Sequence, residues 1–267
     1  MSVLRSQVGW VMIDVWSRSM SPFRSVLPGA RWRPRSLNLD RTRLVERDQL
    51  AQIWPQFALH VALEGACLQS PTDTELSVLT RRAAEPGAVL PTTDSHFVTW
   101  IHDRTREEIA EQLTSRARSN RDLTKRSGWT LDLAVIVSGQ PVGMQSLSGF
   151  DRWPHRRIVG TTSWLLAPFQ RSGLGTRSRA AVLELAFAHL GAESAKSWVL
   201  EDNHASVSVS TKLGYHLIDR HAITEHGRHY TEHVYQLDRD TWLRSPIRRQ
   251  CLPVITGARP FVELVTP

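Results

Sequence analysis

The stretch Trp164-Leu165-Leu166-Ala167-Pro168-Phe169-Gln170-Arg171-Ser172-Gly173-Leu174-Gly175-Thr176 runs from a strand-like apolar segment, through a proline and two glycines, into a helix. The first turn of a helix carries amides with no internal acceptor, and its dipole favours negative charge. A pyrophosphate answers both needs. Glycines let the backbone approach such a group without an intervening Cβ, and Arg171 or Arg177 can add a charged contact. The glycine spacing differs from the dinucleotide fingerprint and from the P-loop, because no Gly-Lys-Ser/Thr follows. Taken alone, Gly-x-Gly reads more readily as ordinary helix punctuation than as a phosphate site.

Outward from this junction the elements alternate. Downstream, Leu174, Val182, Leu185, Ala186 and Leu190 recur at helical spacing up to a stop at Gly191. A strand through Trp198 and Leu200, a helix from Asn203 to Leu213 and a hairpin turning at His226-Gly227 come next. Upstream, Phe57 to Leu68 reads as a strand, with Leu59, Val61 and Leu63 on one face. Thr72-Asp73-Thr74-Glu75 and Thr105-Arg106-Glu107-Glu108 are capping boxes that open two helices, the second with Ile109, Leu113 and Ala117 along one side. Trp129 to Val137, a turn at Ser138-Gly139-Gln140, Val142 to Phe150 and Ile158 to Leu166 supply a meander of strands. The fold class is therefore mixed α/β, with α+β-like layers around a central sheet.

The two ends differ from this middle. Residues 1–50 hold nine Arg against four acids and residues 244–267 hold four Arg against Glu263, so the formal net charge of +7 lies in the ends while 51–243 carries −1. A nucleic-acid module concentrates its charge on a packed element, which the middle lacks, so nucleic acid is not the expected partner. Arg31-Trp32-Arg33-Pro34-Arg35 interrupts any helix near the start, and Pro246, Pro253, Pro260 and Pro267 punctuate the end. The expected division is an Arg-rich, irregular extension over 1–50, one domain over 51–244 and a poorly ordered tail over 245–267. Val8 to Val15 is broken by Asp14 and leads to no small-residue cleavage site, which argues against an export signal. No apolar run reaches the roughly 18 residues of a membrane span. Cys67 and Cys251, far apart, read as free thiols and make neither a disulfide framework nor a zinc site; a reducing bacterial cytoplasm is the expected compartment.

A second motif gives the first its meaning. From Glu201 to Tyr215 the chain reads Glu-Asp-Asn-His-Ala-Ser-Val-Ser-Val-Ser-Thr-Lys-Leu-Gly-Tyr. Together the segments resemble the GNAT acyltransferases, in which Gln/Arg-x-x-Gly-x-Gly opens the cofactor helix and Asn-x-x-Ser/Ala leads through Lys-Leu-Gly-Tyr/Phe into the last hairpin. The likeness is greatest to the branch of ribosomal-protein N-terminal acetyltransferases and extends over about Phe57 to Trp242, with the specific motifs within residues 164–215.

The resemblance implies a mostly antiparallel mixed sheet with a splayed strand pair, flanked by about four helices. It implies acetyl-CoA as acyl donor, no metal, and direct attack by a primary amine of a small molecule or a peptide N-terminus without a covalent enzyme intermediate. Trp164, Leu165 and Leu166 would pair with the pantetheine arm. The amides of Arg171, Ser172, Gly173, Leu174, Gly175 and Thr176 would hold the pyrophosphate, and Asn203 and Ser206 would face the thiol end. Many members carry a tyrosine acid seven positions after the counterpart of Asn203, where this chain has Ser210. Ser206 is the candidate acid instead, and Glu201, at a strand end, the candidate base. A homodimer is compatible with this reading.

Each assignment has a plainer counterpart. Ser206, Ser208 and Ser210 could be helix-surface hydroxyls, Glu201 a solvated acid, and Asp103, with His102, a turn rather than an acceptor pocket. His226, His229 and His233 read as hairpin surface. His229 and His233 share a strand face about 13 Å apart, too far for one ion. Trp129, Trp153 and Trp164 are candidates for a cleft but equally for core. Two other functions remain open: an inactive acyl-CoA-binding regulatory domain, and a nucleic-acid-associated protein acting through its basic ends.

Overall fold

The structure, a computed structural model, describes residues 41–90, 101, 104–124, 128–150, 153–225 and 228–266. In chain order the elements are α1 (Arg41–Ile53), β1 (His60–Leu63), β2 (Ala66–Gln69), α2 (Asp73–Ala83), α3 (Arg106–Ser119), β3 (Trp129–Val137), β4 (Gln140–Gly149) and β5 (Ile158–Leu165). They continue with α4 (Leu174–Glu184), β6 (Ser194–Leu200), α5 (His204–Leu213), β7 (His216–Glu225), β8 (Arg228–Asp238), α6 (Arg239–Arg244), α7 (Pro246–Gln250), β9 (Val254–Thr256) and α8 (Arg259–Val265). One sheet holds all nine strands in the order β7-β8-β6-β5-β4-β3-β2-β1-β9. Every neighbouring pair is antiparallel except β5 and β6.

Both capping boxes form. Thr72 Oγ1 accepts from the Glu75 amide at 3.3 Å while the Glu75 carboxylate accepts from the Thr72 amide at 2.9 Å, and Thr105 and Glu108 repeat the exchange on α3. Each N-cap contributes about 1 kcal/mol and fixes where its helix starts. The apolar stripes of α2 and α3, among them Leu76, Leu79, Ile109 and Leu113, bury with Met144 and Trp164 on one face of the sheet. On the other face α4, the π-helical turn Leu185–His189 that continues it, and α5 bury Leu174, Val182, Leu185, Val209 and Leu213 with Val159, Leu165 and Val199.

Two expectations are corrected. Phe57 to Leu68 is not one strand: Pro55–Ala58 forms a 3₁₀ turn, and β1 and β2 are a tight hairpin with Leu63 opposite Ala66. The alternation of Leu59, Val61 and Leu63 is real, but Glu64-Gly65 turns the chain inside the apolar run. The tail after Arg244 is likewise part of the fold. β9 pairs with β1, Phe261 of α8 meets the edge of Trp129 at 5.5 Å, and Trp153 Nε1 donates to the Val265 carbonyl at 2.6 Å. Pro246 and Pro260 fall in the first turns of α7 and α8. There the missing N–H is no loss, so these prolines start helices rather than break them. Within 1–50, residues 41–50 belong to α1, which Arg47 ties to Glu75 at 2.8 Å. Trp129 and Trp153 stack edge to face at 5.6 Å against α8. No described helix is long and apolar enough to cross a membrane.

Candidate active site

β5 and β6 hydrogen-bond only where Ile158, Val159 and Gly160 face Ser194, Ala195 and Lys196. Beyond that both strands run on, β5 to Leu165 held by β4 and β6 to Leu200 held by β8. Each follows its own neighbour, so a wedge opens between them. The sheet thus contains the splayed pair expected from the motifs. Thr161 Oγ1, 3.5 Å from the Lys196 carbonyl, marks where they part.

Strand alternation decides which backbone groups face the wedge. The Leu166 amide donates to Val142 of β4 at 2.8 Å, and the Trp164 carbonyl presses so close to Gly143 that no Cβ could fit there. Trp164 and Leu166 therefore turn their backbones to β4. Of the expected trio, Leu165 faces the wedge, with Thr161 and Ser163 before it in the same alternation. The Leu165 carbonyl accepts from Gln170 Nε2 at 2.8 Å, and the same side-chain nitrogen donates to Val89 at 2.8 Å, which anchors the loop after β5.

That loop ends in an open helix start. Gly173 is the N-cap of α4 at φ 78, a left-handed conformation natural to glycine, and it brings no capping side chain. Arg171 is also left-handed, at φ 57, an uncommon conformation for a residue with a Cβ. Arg171, Ser172 and Gly173 are exposed. The Leu174 amide meets Ser172 Oγ at a long 3.4 Å, and the first turn of α4 contains no acidic residue. By contrast α2, α3 and α5 begin on Thr72, Thr105 and Asn203, whose side chains accept from the helix. The start of α4 thus presents donors and a positive dipole end to solvent, with Arg177 one turn in.

α5 closes the other side. Asn203 Oδ1 accepts from the Ser206 amide at 3.1 Å, and both residues are buried. Their remaining side-chain polar atoms, Asn203 Nδ2 and Ser206 Oγ, have no partner among the described residues. Ser210 Oγ accepts from Arg179 Nη1 of α4 at 3.0 Å, and the Tyr215 hydroxyl lies 3.1 Å from Thr161 Oγ1. Burial raises the Tyr215 phenol above its ordinary range.

Glu201 follows β6 and is exposed. Its Oε1 lies 3.5 Å from Nε2 of His233 on β8, which is buried and not, as expected, on the hairpin surface. His229 is exposed and bonds Thr224, at 3.0 Å. His102, Asp103, His226 and Gly227 lie outside the described residues. Among the described residues no three His, Cys, Asp or Glu side chains gather as metal ligands.

Sequence reasoning missed two residues here. Arg179 sits at a helical position that reads as solvated, and His233 needed the β6–β8 register to meet Glu201.

Residues 71–216 match the family model of the GNAT acetyltransferase domain, more than half the chain, and they include the β5–β6 wedge, α4 and α5. The chain belongs to the GNAT acetyltransferase family. Solved GNAT structures share the architecture. A GCN5-related N-acetyltransferase from Brucella melitensis aligns over 71% of this chain and 82% of its own, at 14% identity and a TM-score of 0.58. RimJ of Mycobacterium smegmatis, solved in complex with CoA-disulfide, aligns over 76% and 92% at 12% identity and a TM-score of 0.55. The microcin C7 self-immunity acetyltransferase MccE, in complex with acetyl-CoA and AMP, aligns over 66% and 93% at 16% identity and a TM-score of 0.51. At these identities the likeness establishes the shared GNAT fold.

Proposed function

We propose that this GNAT protein is an acetyl-CoA-dependent N-acetyltransferase that acts on a primary amine of a small molecule or a peptide N-terminus. The observation that carries the reading is the combination, in one wedge, of an uncapped helix start with buried polar atoms that lack partners. These residues fit acetyl-CoA. The Leu174, Gly175 and Thr176 amides, with Arg171 and Ser172 beside them, suit a pyrophosphate. The wedge-facing edge of β5 suits the amides of the pantetheine arm, in the manner of an added strand. Asn203 and Ser206 suit its thiol end.

When bound, the thioester supplies an activated acyl carbon. The protein's part is to hold that carbon and the amine in attack geometry and to manage one proton. An α-amino group titrates near 7.7–8.0, so a modest base is enough to deliver the free amine. In this reading Glu201, with His233 3.5 Å from it, takes that proton. The Ser206 hydroxyl is the hydrogen-bond donor for the departing sulfur.

The test is calorimetric titration of acetyl-CoA into the full-length protein, since β9 and α8 are integral to the sheet and core. Saturable binding is expected. Gly175→Glu places a carboxylate beside the proposed phosphate position without forcing a left-handed residue, and its Cβ meets Leu165 Cδ1 at an ordinary 3.7 Å. It should weaken binding on the order of 100-fold, about 2.7 kcal/mol, while Gly175→Ala controls for loss of the glycine. No binding by folded protein would end the transferase reading.

A further inference from the structure

Arg179 lies on the inward side of α4 with none of its surface exposed. It sits five residues beyond the start of the helix, about 7.5 Å along the axis. Its Nη1 is used by Ser210, whereas Nε and Nη2 have no partner among the described residues. Among the described residues no carboxylate pairs with it. The titratable group coupled to it is Tyr215, whose raised pKa keeps it a neutral phenol at pH 7 and whose hydroxyl joins Thr161 where β5 and β6 part. Burial pulls the guanidinium down to about 10, which leaves it a cation at neutral pH. A buried cation with idle donors is costly to the folded state. An incoming anion would satisfy both the charge and the idle donors.

Acyl transfer generates such an anion. As the amine nitrogen bonds to the thioester carbon and the C–S bond breaks, the C–S electron pair leaves on sulfur and the nitrogen's proton passes to Glu201 and His233. The Ser206 hydroxyl cannot keep that sulfur protonated. A thiol titrates near 8.5, whereas a hydroxyl is a far weaker acid, comparable to water. Ser206 can donate a hydrogen bond but cannot surrender its proton, so the charge on sulfur needs a cation. Ser206 and Ser210 are four apart on α5 and so share a face, which puts Arg179, through Ser210, next to the hydroxyl assigned to the sulfur.

We propose that Arg179, steadied by Ser210, is a catalytic residue that holds the leaving thiolate of coenzyme A as an anion, in place of a proton-donating acid. The proposal rests on the transferase reading above. The thiol product, free coenzyme A, exposes the interaction without turnover. Calorimetry first measures coenzyme A and desulfo-coenzyme A binding to full-length wild type, Arg179→Lys and Arg179→Met. Ultraviolet thiolate absorbance then follows the bound thiol through a pH titration.

Wild type should hold the bound thiol ionised at least one pH unit below free coenzyme A, a tenfold gain in acidity. Arg179→Lys should keep part of that gain and Arg179→Met should lose it, with desulfo-coenzyme A bound equally by all three. Wild-type protein that binds coenzyme A with an unshifted thiol overturns this proposal and leaves the transferase reading standing, whatever the variants do. An equal shift in wild type and Arg179→Met also overturns it. Failure to bind coenzyme A at all overturns both.

Discussion

Arg179 and Glu184 are both buried on α4, five residues apart, and their surroundings differ in kind. Glu184 accepts from Arg248 through both oxygens, at 2.7 and 2.8 Å, and from Trp242 Nε1 at 3.0 Å. Arg179 has one neutral hydroxyl and two idle nitrogens. The inner end of α4 is thus finished by protein alone, and it is where α6 and α7 lock onto the core. The end near the wedge is left chemically incomplete. Within one helix, full satisfaction marks the structural charge and incompleteness marks the charge that waits for a ligand.

The largest effect is expected where satisfaction is broken. Arg248→Met removes the bidentate partner and strands a buried carboxylate, which should cost about 3–4 kcal/mol and lower Tm by about 10 °C. Burial alone would raise the Glu184 pKa, but hydrogen bonds from Arg248 and Trp242, with the Arg248 charge, outweigh it and hold the carboxyl below its ordinary range. The unfolded chain therefore binds this proton more readily than the folded one. The stabilisation is present above the ordinary carboxylate pKa and disappears as pH falls through the lowered folded value. Thermal unfolding of wild type and Arg248→Met should accordingly converge in acid. If the variant stays as stable as wild type at neutral pH, the clamp is ornamental and the contrast with Arg179 collapses.

Arg179→Met is the opposite case. Burial disfavours the protonated guanidinium, so the charge weighs against folding at every pH below about 10. Replacing an unpaired buried charge by an apolar chain of similar length should leave stability unchanged or raise it by up to about 3 kcal/mol. Acetyl transfer, followed by thiol release, should nevertheless fall by about 100-fold. A protein both less stable and fully active would make Arg179 an architectural residue.

This contrast bears on what the sequence could reveal. The capping boxes at Thr72 and Thr105, the glycine stop after α5 and the glycine-bearing start of α4 are local chemistry, encoded within four or five neighbouring residues, and were readable as such. So were the two motifs that converge on the wedge, because their spacing reflects one helix start and one helix cap. The prolines of the tail were local too but ambiguous, since proline both breaks helices and begins them. Arg179 and His233 carry no local sign. An arginine on a helix and a histidine on a strand usually face water, and only the packing of α5 over α4 and the β6–β8 register bury these two. Arg248 shows the same limit: counted among the basic residues of the end, it is neutralised by Glu184 and is not available to a nucleic acid.

The smallest stability effects sharpen the comparison most, because they set two buried serines of α5 against each other. Ser210→Ala removes the one hydrogen-bond partner that the Arg179 side chain has among the described residues, and should cost about 1 kcal/mol. Ser206→Ala removes a hydroxyl that has no partner. Deleting an unsatisfied buried polar atom removes a desolvation penalty and loses no bond, so Ser206→Ala should be neutral or stabilising by a few tenths of a kcal/mol. If the hydroxyl serves the departing sulfur, kcat should still fall about tenfold while the KM for acetyl-CoA changes little, because a contact made only as charge develops acts on the transition state. A Ser206→Ala protein that loses stability and keeps its kcat would mean that the hydroxyl is already satisfied, by water, as part of the fold. The wedge would then owe its incompleteness to Arg179 and Asn203 alone.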